Sequence, residues 1–458
     1  MNIREAKEQI RRSVTIYLMK NEKGEYRIPV QKQRPIFLYG APGIGKTAIM
    51  EQIAEELSIS LVTYSMTHHT RQSAIGLPFI TKKEYGGEEY DISRYTMSEI
   101  IASVYDKIEE TGRKEGILFL DEINCVSETL GPSMLQFLQY KVFGNKRVPD
   151  GWVVVTAGNP PEFNRSVREF DVVTLDRMKI MEVEPDYEAW RRYALERGLH
   201  KSILSFLEIR HENFYSIETT VDGKSYVTAR GWEDLSEIIY LYEECGFPVD
   251  EALIVQYIRN RQISGEFAAY YALFAKYRED YRVREILRGT EPSEIRARAS
   301  EASFDERITI LGLLLECLMP RLRANVEKED SLKARVSVLR AEKAALACRT
   351  DEKAQADFER RKAEFEADVA RMKKEGADLS AALDNAFGFV EECFGEGNEM
   401  LILLTELSIN RYSARFIAGH GCEAYFKHDR HYMLYDRNKE LENEIRAAEK
   451  QEKDELQI

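Results

Sequence analysis

The sequence predicts an α/β domain with a parallel sheet buried between helices, followed by a helical lid and a C-terminal helical and coiled-coil region. Three observations carry this. Five apolar runs, "IFLYG", "LVTYS", "GILFLDE", "WVVVTAGN" and "KIMEVE", alternate with helical segments between residues 35 and 185. From about 186 the pattern turns helical, as in "DLSEIIYLYEEC" and "EALIVQYIRNRQI". From about 291 the composition becomes rich in Ala, Glu, Lys and Arg.

Each region has its reason. Residues 1–34 read as a short helix ("REAKEQIRRSVTIYLM"), the turn "NEKGEY" and a polar lead-in. In 35–185, near-continuous apolar runs suit strands covered on both faces, and their alternation with helices suits a layered sheet. Residues 186–290 read as a helical lid. In 291–458, Phe358, Phe365, Met372 and Leu379 recur every seven residues, and Val369, Leu383 and Val390 fill a second column. Two apolar columns with charged flanks predict a coiled coil. The phase breaks near "CRTDEK", which favours two helices folded as a hairpin over one rod.

The bulk numbers narrow the class. The chain has 458 residues, 44% of them hydrophobic, and a formal net charge of −14. Its 31% charged residues exceed the usual content, which is about 25% in soluble domains. An acidic balance argues against a dedicated nucleic-acid binder, which carries a basic face. The six cysteines are scattered and form no CxxC, a reduced-compartment pattern. "MNIREAKEQIRR" has no apolar signal core. The run "ITILGLLLECLM" is too short to span a bilayer and contains Glu316. A soluble cytoplasmic protein is expected.

"GAPGIGKT", Gly40 to Thr47, fits GxxxxGK[ST]. Gly40, Gly43 and Gly45 let the backbone curl so that several N–H groups of the loop, which also contains Ala41, Pro42 and Ile44, face a phosphate. The helix opening at Ala48 presents its positive end to the same anion. Lys46 reaches the β- and γ-phosphates, and the Thr47 hydroxyl is a ligand for Mg2+. The motif sits between an apolar strand and a helix, as its mechanism demands.

"ILFLDEIN" puts Asp121 and Glu122 at the end of another apolar strand. Ligands of open parallel sheets sit at such ends. Asp121 is placed to hold Mg2+, and Glu122 to orient or deprotonate an attacking water. "WVVVTAGNPPEFN" ends a third strand at Asn159, an amide positioned for the γ-phosphate or its water, or for capping the Asn-Pro turn. "VTLDRMKI" places Arg177 beside Asp176 at a strand entrance, where the two offer a local ion pair. Weaker signals are the pair His68 and His69, read as plain loop residues, and "HGCEAYFKHDRH". The latter holds His420, Cys422, His428 and His431 at a spacing that matches no common zinc pattern.

The order "GAPGIGKT", "ILFLDEIN", "VVVTAGNPPEFN", "TLDRM" and "TARGWEDL" resembles AAA+ ATPases, and within them the MoxR and dynein-related, midasin-like group, over roughly residues 30–290. The resemblance implies an AAA+ P-loop core that binds and hydrolyses ATP with Mg2+. It implies that Arg177 reaches the nucleotide of a neighbouring subunit, and that Arg230 of "TARGWEDL" is a second sensor touching bound nucleotide. It further implies a homo-oligomer, typically a ring of six, that remodels a protein substrate with a von Willebrand factor A domain partner. "QYKVFGNKRVPDG" reads as the hairpin insert of such proteins, turning at Gly144-Asn145. Two features depart from the MoxR pattern: Cys125 follows "DEIN" where Arg is usual, and Gly158 precedes Asn159 where Gln is usual. Two other readings stand beside it. One is a nucleotide-gated oligomeric scaffold with slow turnover. The other is a GTP-dependent nucleic-acid motor, although "NKRV" lacks the Asp of a guanine signature.

Overall fold

The computed structural model describes residues 1–430 except 69–71, 73, 75, 128, 144, 145, 165, 221, 222 and 347–351; it describes nothing beyond 430. His69, Cys348, His431 and the Gly144-Asn145 turn therefore lie outside the described residues. The chain divides into two compact units, 1–190 with 228–231, and 191–227 with 232–458. No helix among the described residues is long and apolar enough to cross a membrane.

The first unit is built on a five-stranded parallel sheet. Its strands are β1 (Ile36–Gly40), β2 (Ser60–Ser65), β5 (Gly116–Asp121), β8 (Trp152–Gly158) and β9 (Lys179–Val183). The order is β2-β5-β8-β1-β9. This is the parallel, helix-covered sheet that the apolar runs predict. Every residue of β8 is buried, as are the first five of β5, so these central strands are covered on both faces. Phe119, Leu120 and Val154 are wholly inaccessible. Burying each such side chain contributes about 1.5–3 kcal/mol.

Register decides what meets at the carboxyl edge. Tyr39 lies opposite Gly158, Gly40 opposite Val183, and Asp121 opposite Ser65. The ends of β1, β2, β5 and β8 thus form one row.

Among the described residues, three two-stranded antiparallel sheets lie outside the parallel sheet. β6 (Val142–Phe143) pairs with β7 (Lys146–Arg147), as the insert was expected to do. β3 (Pro78–Tyr85) pairs with β4 (Glu88–Tyr95) around Gly86 and Gly87, both at positive φ. The sequence reading assigned no strands there, although Gly-Gly between alternating runs is a hairpin signal. In the second unit β10 (Ser216–Thr220) pairs with β11 (Gly223–Val227) inside a region read as purely helical.

The second unit is otherwise helical. Phe304–Leu346 and Glu352–Phe394 run antiparallel as two helices of a hairpin. Cross-helix ion pairs fix the register: Lys328 with Glu375 at 2.6 Å, Arg335 with Asp368 at 2.8 Å, and Arg361 with Glu342 at 2.8 Å. Of the stretch "CRTDEK", where the heptad phase breaks, residues 348–351 lie outside the described residues. Phe358, Leu379, Leu383 and Val390 are buried, whereas Phe365, Val369 and Met372 are half-buried. The base of the hairpin packs with Leu403, Leu407 and Phe416 of the helices Asn398–Ile409 and Arg411–His420 into one core. Helices from both sides of residue 290 belong to this unit, for Lys201 pairs with Glu406 and Asn410 donates to the Leu195 carbonyl.

Candidate active site

The loop after β1 curls because Gly43 and Gly45 hold φ of +73° and +90°. Side chains rarely adopt that region. At Gly43 space forbids one as well, since a Cβ would come within 2.8 Å of Thr228 Cβ. Lys46, only 8% exposed, sends its ammonium back into the loop. Its Nζ donates to the carbonyls of Gly40 and Ala41, each at 2.7 Å, and to Asn159 Oδ1 at 2.8 Å. Burial lowers its pKa to about 8, with the Asp121 charge opposing the shift and the Arg230 charge adding to it. Beside it, Thr47 Oγ1 donates to Asp121 Oδ2 at 3.1 Å.

β5 delivers the acidic pair. Asp121 Oδ1 accepts the Glu122 N–H at 2.9 Å. Glu122 then turns the chain with φ 55° and ψ 38°, a left-handed conformation that costs a non-glycine residue about 1–3 kcal/mol. Such strain clusters at functional sites. The turn lets Glu122 Oε2 accept from Ser65 Oγ at 3.1 Å, across from the end of β2.

Asn159 is held from two sides. Its side chain meets Lys46, and its carbonyl accepts from Asn124 Nδ2 at 2.8 Å. Asn124 is 2% exposed and fills the space above Gly158, where a Cβ would stand 2.6 Å from Asn124 Oδ1. Glycine at 158 is thus the steric counterpart of a buried Asn124. Cys125, the other departure, is half-buried and accepts from Asn164 Nδ2 at 3.4 Å; burial pushes its thiol pKa up.

The structure brings Lys46, Thr47, Asp121, Glu122 and Asn159 together through direct bonds. Arg230 joins through its backbone, its N–H donating to the Gly43 carbonyl at 3.2 Å, while its side chain is exposed. Arg177 stands apart. It occupies the turn between the short helix Val172–Leu175 and β9, is exposed, and has no ion pair among the described residues. The local pairing with Asp176 that the sequence offers is not made. Asp176 instead caps the short helix, its N–H donating to the Val172 carbonyl at 2.9 Å. Asp171 feels the Arg177 charge: the Asp171 pKa is lowered mainly by a hydrogen bond from Thr174 and to a lesser degree by Arg177. The charges that bear on Lys46 are Asp121, Arg230 and Glu122, not Arg177.

Sequence reasoning missed Ser65 and Asn124, whose side chains bond Glu122 and the Asn159 carbonyl, and Thr228, which stands where a side chain at position 43 would go. Each lies outside the motif it serves, or was passed over inside one: Asn124 closes "DEIN".

Residues 36–173 match the family model of the ATPase family associated with various cellular activities (AAA). The match supports an AAA+ ATPase domain. It contains Lys46, Thr47, Asp121, Glu122 and Asn159, whereas Arg177 and Arg230 lie beyond its end. No curated protein matches the chain. Nucleotide binding and hydrolysis are the general activity of such domains, and the donor set fits it. Thr47 Oγ1 and Asp121 Oδ2 face each other as a hydroxyl and carboxylate suited to Mg2+. The three acceptors now on Lys46 are neutral oxygens that phosphate oxygens would outcompete.

Proposed function

We propose that the chain is a MoxR-like AAA+ ATPase. It works as a cytoplasmic homo-oligomeric ring, hexameric by resemblance, and couples ATP turnover to remodelling of a partner protein. The observation that supports this best is Arg177, exposed and unpaired among the described residues, and not among the charges acting on its own Lys46. A guanidinium so placed is free to complete a site in a neighbour.

In this reading the loop Gly40 to Ala48 wraps the phosphates, and Lys46 exchanges its carbonyl partners for β- and γ-phosphate oxygens. Thr47 and Asp121 hold Mg2+, which supplies charge neutralisation on the phosphates. Glu122, oriented by Ser65, takes the proton of the water whose oxygen attacks the γ-phosphorus, and the bond to the bridging oxygen of ADP breaks. Asn159, relieved of Lys46, orients that water or the γ-phosphate. Arg230 contacts the bound nucleotide and reports its state. Arg177 of one subunit stabilises the charge that develops in the next subunit's site, a role worth about 10³–10⁵ in rate. The C-terminal helical hairpin serves as the docking element, and a von Willebrand factor A domain protein is the partner the resemblance suggests.

The test is ATP turnover of Arg177→Ala. The reading predicts ATP affinity and assembly near wild type with turnover lost. Full turnover by assembled Arg177→Ala would refute it.

A further inference from the structure

Charged side chains of the second unit are widely paired. Lys201 meets Glu406, and His428 lies between Glu391 and Glu396, 3.3 and 3.6 Å from their carboxylates. The arginines from 278 to 323 show the rule and its exception. Arg278, Arg282, Arg296, Arg298, Arg307 and Arg323 each form an ion pair with a carboxylate. Arg284, Arg288 and Arg321 form none among the described residues. These three line one cleft of about 800 Å³.

Two elements bring them there. Arg284 and Arg288 stand four residues apart around the helix Val283–Ile286 and the turn after it, a spacing that puts side chains on one helical face. Arg321 comes from the long helix Phe304–Leu346. Their support is fixed. Val283, Ile286 and Leu287 are buried in the core that the long helices share. Asn385 Nδ2 donates to the Leu287 carbonyl at 3.1 Å. Gly289 follows at φ +67°, where a Cβ would stand 3.1 Å from Asn385 Oδ1. Asn385 thus braces the turn that carries Arg288.

The acidic residues of the lining do not answer these charges. Glu316 is held by Arg278 at 2.7 Å, and Asp378 forms no ion pair with any of the three. Cys317, also in the lining, registers the excess. Burial and then the Glu316 charge push its thiol pKa up, while Arg284, Arg278 and Arg321 oppose them. Arg284 and Arg321, from separate elements, therefore act on one point. Like charges so gathered are destabilising without a counter-charge, and the chain leaves them together although its net charge is −14. The guanidinium fork matches the oxygens of a phosphate. The volume is that of a small-molecule site, about 300–1,000 Å³. Leu287 and Ala382 give the cleft buried apolar wall.

We propose that this cleft binds a soluble small molecule carrying two or more phosphate groups and a hydroxyl or amino group. Arg284, Arg288 and Arg321 hold the phosphates, and Asp378 accepts from the hydroxyl or amino group. The site belongs to the second unit and is separate from the phosphate loop.

The probe is inorganic pyrophosphate, titrated by calorimetry into the full-length chain carrying Lys46→Ala and free of Mg2+, which silences the phosphate loop. This parent is expected to bind one equivalent, and Arg284→Gln and Arg321→Gln should each weaken binding about tenfold or more. Arg323→Gln removes the same charge two residues from Arg321, but from a pair with Glu327 outside the lining, and should bind as the parent does. All three arginines are exposed, so the fold is expected to survive, which circular dichroism verifies. No saturable binding by the parent, or unchanged affinity in Arg284→Gln and Arg321→Gln, would overturn the proposal. An equal loss in Arg323→Gln would do so too, since it would mark a diffuse field and not a site. Tighter binding of an oligo-glutamate peptide than of pyrophosphate, with the same dependence on Arg284 and Arg321, would also overturn it and assign the cleft to an acidic protein segment.

Discussion

The carboxyl edge of the sheet and the turn that carries Arg177 lie in one unit, but they are finished to different degrees. At the edge each polar group meets another: Lys46 meets Asn159, Thr47 meets Asp121, and Glu122 meets Ser65. At the turn, the backbone is closed by the Arg177 N–H to the Thr174 carbonyl, while the guanidinium is left exposed. A site that closes on itself without ligand serves one subunit. An arginine fixed by its backbone and left open at its tip is what the proposed reach into a neighbouring subunit requires.

This contrast breaks most visibly at Arg177. Its replacement by Ala is expected to lower turnover about 10³-fold or more while leaving nucleotide affinity unchanged, as measured by equilibrium binding beside steady-state hydrolysis. On the proposed reading, turnover per subunit of wild type should also rise with protein concentration, since the site of an isolated subunit would lack its neighbour's Arg177. A turnover flat from dilute to concentrated protein would favour the slow scaffold reading.

Glu122→Gln probes the closed side. Hydrolysis should fall about 10²–10⁴-fold and ATP should still bind, because Lys46 and Thr47 are untouched. Loss of binding would assign Glu122 a structural role through its left-handed turn.

A smaller effect follows from Lys46. Its depressed pKa of about 8 comes first from desolvation, which bound phosphate would counter by favouring the charged form. Above pH 8 the free protein must take up a proton to bind nucleotide. Affinity should therefore hold below pH 8 and weaken about tenfold between pH 8.5 and 9.5, read by titration calorimetry with proton uptake visible as a buffer-dependent heat. An affinity flat across that window would show that Lys46 stays charged without ligand.

The smallest change is at Gly158. Gly158→Ala puts a methyl group against Asn124 and should cost about 1–3 kcal/mol of stability, with a modest loss of turnover as Asn159 shifts. Asn124→Ala in the same chain should relieve the clash. Additive losses in the double variant would mean that the two positions are not in contact.

Much of this was legible in the sequence, for physical reasons. Phosphate chemistry needs Gly, Lys and Thr at fixed spacing, and a doubly covered strand needs an unbroken apolar run. Lys46, Asp121, Glu122 and Asn159 and all five strands could therefore be read locally. The bracing residues could not. Ser65 reaches Glu122 only because β2 and β5 pair in one register, and Asn124 excludes a side chain at 158 across two strands. The hairpin of β3 and β4 was readable from Gly86-Gly87 and was missed because its strands are short of buried apolar residues. His428 was noticed for its sequence neighbours, yet its real neighbours come from the end of another helix, which no spacing within "HGCEAYFKHDRH" encodes.

Mixing two inactive variants tests the central claim most directly. Arg177→Ala retains an intact Glu122, and Glu122→Gln retains an intact Arg177. If Arg177 completes the neighbouring site, equal mixing and reassembly should restore about a quarter of wild-type turnover, the fraction of heterologous interfaces that join two sound halves. A mixture no more active than its separate components would contradict the account and return Arg177 to its own subunit.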